Sequence, residues 1–194
     1  MRQIRMKKTL FVLVALSALP ITVVLASSTD VPVTQVKETA AEPKWEPSEQ
    51  DQLKIKLASY QYLQTKDNGE FETAFKAYSI ENASAIDFKT WKYDQLIFNA
   101  TAGAVLDRTY TRISWYESSP DNALPGVFAT VDYSSIFSNI DIQCGMLMWH
   151  KKDDGNFELI REQNNFLDKE AQSKLSDREI EQTKAEFGCK KSSE

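Results

Sequence analysis

Apolar and polar positions change their spacing along this chain, and each change marks a different kind of segment. The run from Leu10 to Ala26 is almost wholly apolar and follows Arg2, Arg5, Lys7 and Lys8. From Ser27 to Pro47 the chain is polar and small, with Pro32, Pro43 and Pro47 and few large apolar residues, the pattern of a disordered linker. Trp45 stands out there, as an anchor folding back on the domain or as an exposed aromatic in the linker; the first reading is favoured. Helical spacing begins with Leu53, Leu57, Tyr60 and Leu63, at i, i+4, i+7 and i+10, and the turn residues Asp67-Asn68-Gly69 stop it. Phe71, Ala74, Phe75 and Tyr78 predict a second helix of about three turns. Asp87 is a fitting N-cap for a third, carrying Phe88, Trp91 and Phe98.

After Gly103 the period becomes two. Ala104 to Tyr116 reads as a first strand. Val127, Ala129, Val131, Tyr133 and Phe137 alternate with polar residues, which predicts a strand with one buried face. Ile140, Ile142, Cys144, Met146 and Met148 continue the alternation. Leu147 and Trp149 are apolar on the opposite side, so this strand is expected to be central and covered on both faces. Asp153-Asp154-Gly155-Asn156 is a hairpin turn leading to Phe157 and Leu159. Ser176 and Glu179 form a capping box for a final helix with Ile180, Thr183 and Phe187 on one face, closed by Gly188. The expected fold class is α+β: N-terminal helices packed on a curved four-stranded antiparallel sheet, with a C-terminal helix.

The basic residues before the apolar run are the pattern of a secretory signal peptide over residues 1–26. Cleavage is expected between Ala26 and Ser27, or else after Ser28, and is favoured over an uncleaved anchor. A linker over 27–47 and a single domain over 48–194 follow, at a periplasmic or secreted address. Losing the leader removes four basic residues and no acidic one, which takes the formal charge from −5 to −9. That balance excludes an electrostatic nucleic-acid binder and disfavours anionic membrane surfaces.

A lone histidine and two cysteines exclude the usual single-chain zinc sites, so no metal is expected, and no cofactor motif occurs. In an exported chain Cys144 and Cys189 invite one disulfide, the alternative being two free thiols. His150 with Asp132 or Asp141 would suit acid–base chemistry, and Tyr133 with Asp107 would suit polarising a carbonyl inside a pocket, but His150 is expected at an exposed strand end and no catalytic residue is assigned. Arg108 and Arg112 are placed with Tyr110 on one strand face, where they suit an anionic ligand or pair with carboxylates; the pairing is favoured. The candidate ligand pocket comprises Trp91, Arg108, Tyr110, Trp115, Tyr133 and Phe137, with the simpler reading that most of its aromatics are core.

Several short runs carry a family resemblance. They are Gly103-Ala104-Val105-Leu106-Asp107-Arg108; Leu124-Pro125-Gly126-Val127-Phe128, then Val131, Tyr133 and Phe137-Ser138-Asn139; and Asp153-Asp154-Gly155-Asn156-Phe157, with Trp91 in the third helix. In order and spacing, the chain from about Phe71 to Gln163 resembles the exported bacterial domain-of-unknown-function family 4019. It departs at Asn99, where the family usually has arginine, and at Cys144, near which a charge is common. The resemblance implies a cystatin- or NTF2-like architecture and no established activity. The expected function is a non-catalytic exported module binding a protein or envelope component. The alternatives are a small-molecule binder or a lyase or isomerase using the aromatic pocket. The partner, protein or small molecule, is unknown; nucleic acid is excluded, and the membrane enters only through an uncleaved leader.

Overall fold

The computed structural model describes residues 33–35, 45–120 and 122–189. The expected leader, its cleavage site and most of the linker lie outside these residues. Within the linker stretch, Val33–Gln35 form a short strand, β1.

The domain proper begins with Ser48, whose side chain accepts from the Asp51 backbone N–H while Asp51 bonds back, a capping box that starts α1 (Glu49–Asp67). The second helix, α2 (Phe71–Phe75), is shorter than its spacing predicts, because the chain turns at Lys76 and Tyr78 bridges to Leu159 of the sheet. A short α3 (Ile80–Ala85), absent from the sequence reading, follows. Asp87 caps α4 (Phe88–Ala102) through the Thr90 N–H, as expected.

Four long strands run antiparallel in sequence order: β2 (Val105–Ser118), β3 (Gly126–Phe137), β4 (Ile140–Lys151) and β5 (Phe157–Asp168). β1 pairs parallel to the outer edge of β2, Val33 opposite Ile113. β4 is an interior strand, flanked by β3 and β5. α5 (Lys169–Gln172) and α6 (Asp177–Glu186) close the chain, α6 on the capping box of Ser176 and Glu179. The fold is α+β.

One sheet face carries the main core. Ile113, Trp115, Val131, Leu147, Trp149 and Leu159 meet Ile55, Tyr62 and Leu63 of α1 and the helical aromatics Phe71 and Trp91. A satellite core of Ala102, Phe137 and Ile140 packs under Phe98. Trp45 returns to the domain: its ring stands 5.4 Å from that of Trp115, with the Lys151 ammonium 5.2 Å from its centroid. The opposite, outer face carries Cys144, which the structure joins to Cys189 beyond α6, their Cα atoms 5.2 Å apart. None of the helices among the described residues is long and apolar enough to cross a membrane.

α1 corrects the reading of its own stripe. Leu53, Leu57 and Tyr60 are 67, 50 and 51% exposed, and only Leu63 of the four is buried. The buried row is instead Asp51, Ile55, Ser59, Tyr62 and Lys66, together with Leu63. At about 100° per residue these two rows lie roughly half a turn apart.

Candidate functional site

The inner sheet face holds a polar cluster beneath α1, and two β-bulges create it. In β5, Leu159 pairs with Trp149 and Arg161 with Met148, leaving Ile160 as an extra residue. The strand's alternation is thereby reversed, and Glu162, which pairs with core Leu147, points inward. It meets Lys66 in a salt bridge whose side chains are 7 and 8% exposed. The Tyr62 hydroxyl donates to Glu162 Oε2 at 2.6 Å, and the Tyr62 and Tyr78 hydroxyls lie 3.3 Å apart. Burial by itself would raise the Glu162 pKa. The Lys66 charge and the hydrogen bonds from Lys66, Tyr62 and Asn164 outweigh it, holding the carboxyl below its ordinary range. Burial and the Glu162 charge push Tyr62 well above the usual phenol range, and Tyr78 rises to about 12 for the same reasons.

In β2 the bulge lies at Thr111, between the pairs Tyr110–Tyr133 and Arg112–Asp132. Arg108 and Tyr110 face inward, whereas Arg112 bonds Asp132 at 3.0 Å on the other face. The expected shared face of Arg108, Tyr110 and Arg112 is therefore corrected by one inserted residue. Both arginines do pair with carboxylates. Arg108 grips Asp67, at the end of α1, through both terminal nitrogens and donates from Nε to Ser135 at 2.9 Å. Burial opposes the Arg108 charge, but Asp67 more than compensates, and its pKa rises. Its guanidinium carbon stands 5.9 Å from the Tyr133 ring and 6.0 Å from that of Phe137. Tyr133 lies flat over Gly145, where any Cβ would collide with its ring.

Of the six residues read as a candidate pocket, the structure gathers Arg108, Tyr110, Tyr133 and Phe137. Trp91 sits apart among Phe71, Phe75, Tyr78 and Phe88, and Trp115 lies with Trp45 and Phe157. Beside Arg108 a cleft of about 240 Å³ opens between α1 and β2, lined by Tyr60, Gln64, Asp67, Val105, Arg108 and Tyr110. The Tyr110 hydroxyl is buried there without a hydrogen-bond partner, and burial raises its pKa to about 12.

Neither the histidine–carboxylate nor the tyrosine–aspartate pairing weighed for catalysis is formed. His150 places Nδ1 3.0 Å from Glu158 and Nε2 3.1 Å from the Pro125 carbonyl, rather than meeting Asp132 or Asp141. It is not at an exposed end: its side chain is 14% exposed, with its ring 4.8 Å from that of Phe128. Tyr133 is buried, whereas Asp107 is exposed.

The short motifs turn out to be joints. Gly103 ends α4 at φ +74°, and a Cβ there would strike Ser138. Asn139 donates to the Ala102 and Thr101 carbonyls, tying that helix end to the β3–β4 turn. Gly126 makes room for His150, and Asp154 accepts the Asn156 N–H within the hairpin. Asn99 donates to the Lys66 carbonyl and so links α4 to α1. The cluster around Glu162 escaped the sequence reading. Its one local trace is that Tyr62 and Lys66 stand four apart on the same helix face as Ile55.

Residues 58–160 match the family model described as "Protein of unknown function (DUF4019)". No curated protein and no solved structure matches the chain.

Proposed function

The chain belongs to the family of proteins of unknown function DUF4019, and within it we propose a non-catalytic, exported accessory module that binds a protein partner through the outward face of α1. One observation carries this reading: Leu53, Leu57 and Tyr60 are exposed while the opposite face of α1 supplies the core. From Gln50 to Gln64 the exposed residues of the helix, Gln50, Leu53, Leu57, Tyr60, Gln61 and Gln64, are all uncharged, with Lys54 and Lys56 half-buried beside them. Interface centres are depleted of charge and enriched in aromatic residues, so this row fits a partner segment that is itself apolar and uncharged. The Cys144–Cys189 disulfide supports an oxidising, extracytoplasmic address, and the basic–apolar N-terminus supports export. The motif residues Gly103, Gly126 and Asn139 support a non-catalytic role, since they are spent on internal joints.

A photoreactive benzophenone side chain at position 57, in the full chain expressed in its own host, tests the reading. One discrete cross-linked protein, absent when the probe sits at position 72 and lost with Leu53→Glu, is the expected result. Equal labelling from both positions, or none from 57, overturns it; a cross-link to a second copy of the chain replaces the foreign partner with self-association.

A second reading, a small-molecule binder, is favoured by the cleft at Arg108. The unpartnered Tyr110 hydroxyl would bond a small polar ligand, with the Arg108–Asp67 pair beside it. Tyr110→Phe would abolish such binding without unfolding the domain.

A further inference from the structure

The edges of the sheet are guarded unequally. Unpaired edge strands recruit further strands, and proteins blunt them with bulges, inward-pointing charges or covering segments. On β5, Tyr78 bridges to Leu159, whose N–H donates to the Ala77 carbonyl; beyond it come the bulge at Ile160 and the inward-pointing Glu162. The first half of β2 is interrupted twice, between Val105 and Asp107 and again at Thr111. From Arg112 to Ser118 the same strand runs seven residues in unbroken register with β3. Its middle, Ile113-Ser114-Trp115-Tyr116, is uncharged and rich in strand-forming residues. Among the described residues, this regular edge is paired by β1 alone, and only over Ile113 to Trp115.

β1 is a weak cover. Its three residues pair in parallel, the arrangement slightly less stable per residue, and Pro32, which has no N–H, precedes it in the sequence. Nine residues, 36–44, separate it from Trp45, which packs on Trp115. β1 can therefore leave while Trp45 keeps its place. We propose that the β2 edge from Arg112 to Ser118 accepts an extended segment of a partner protein, with β1 as its resident stand-in. This edge shares no residue with the exposed row of α1. In strand addition, main-chain hydrogen bonds supply affinity and alternate side chains supply specificity. Residues paired across a sheet share a face, so positions beside Ile113 and Trp115 lie at the rim of the core, and those beside Ser114 and Tyr116 on the outer face. The fitting segment is about seven residues long, alternates β-branched apolar with uncharged polar residues, and pairs over more than twice the length that β1 does.

A synthetic strand of alternating valine and threonine, about seven residues between terminal lysines, is titrated into the full chain and into Val33→Pro/Thr34→Pro/Gln35→Pro, in which β1 loses every donor. The variant should bind it saturably, with amide NMR shifts confined to Arg112–Ser118 and the facing residues of β3. Wild type should bind at least about tenfold more weakly, because β1 competes. N-methylation of the valines or of the threonines removes the donors from one side of the strand at a time; one set should abolish binding and the other spare it. A nitroxide at position 34 of the otherwise unaltered chain should broaden the Ile113–Trp115 amides and cease to do so as the strand is added. Equal binding by wild type and variant, equal loss from both N-methylated sets, or broadening that persists at saturation overturns the proposal. Self-association of the variant through its own β2 edges overturns it as well, assigning the edge to a second copy.

Discussion

Glu162 keeps its charge inside the fold because three donors converge on it, and that makes it a point of vulnerability. Removing one member of a buried ion pair typically costs about 3–5 kcal/mol, because the partner's charge is stranded. Glu162→Gln should therefore lower the melting temperature at pH 7 by about 10 °C, as read by circular dichroism. Because the folded pKa of Glu162 lies below the unfolded one, its contribution is complete above about pH 4.3 and is lost as the pH falls through the folded value. The gap between wild type and variant should accordingly narrow on acidification below about pH 4. The double variant Lys66→Met/Glu162→Gln should recover part of the loss, since no charge is then left unpaired. Gly145 is the second sensitive residue. Gly145→Ala should cost about 2 kcal/mol through overpacking against Tyr133, and Tyr133→Leu in the same chain should relieve most of it in a double-mutant cycle.

At the scale of elements, α1 turns the opposite way from the stripe of Leu53, Leu57, Tyr60 and Leu63 that its spacing suggests. Leu53, Leu57 and Tyr60 are exposed, and the row that adds Asp51, Ser59 and Lys66 to Ile55, Tyr62 and Leu63 is buried. The sheet explains the inversion: Lys151 meets Asp51 at 2.8 Å, Glu162 meets Lys66, and Leu159 and Trp149 receive Ile55 and Tyr62 in one core. Leu57→Arg should leave the melting temperature within about 2 °C of wild type, whereas Leu63→Ala should cost about 2–5 kcal/mol as a buried large-to-small change. A larger loss from Leu57→Arg than from Leu63→Ala would show that α1 is turned the other way. α6 behaves differently, because a covalent bond rather than packing holds it. Its cysteines are 45 residues apart, and chain entropy alone would give such a loop about 4 kcal/mol. A helix without buried residues is released when the bond is absent, and native-state freedom offsets part of that figure. Cys189→Ser should thus lower stability by less than about 4 kcal/mol, with hydrogen-exchange protection lost in α6 and retained in β3 and β4.

For the whole molecule, local and distant interactions divide what could be read from the chain. The order of helices and strands, the Asp87 and Ser176 caps, the Asp153–Asn156 turn and the cysteine pair were legible. A cap bonds three residues away, a turn within four, and a strand shows its period over a handful of positions. The candidate site was legible only in part. Arg108, Tyr110, Tyr133 and Phe137 do meet, but Trp91 and Trp115 are drawn into other aromatic clusters. Sequence by itself determined the longer elements and their succession, because neighbouring residues suffice to form them, whereas the short α3 and β1 left no such trace. Tertiary structure alone decided which way α1 turns and which side chains face inward beyond Thr111 and Ile160. One bulged residue reverses a strand's faces, and the groups that reward the reversal, such as Lys66 for Glu162, lie 96 residues away along the chain.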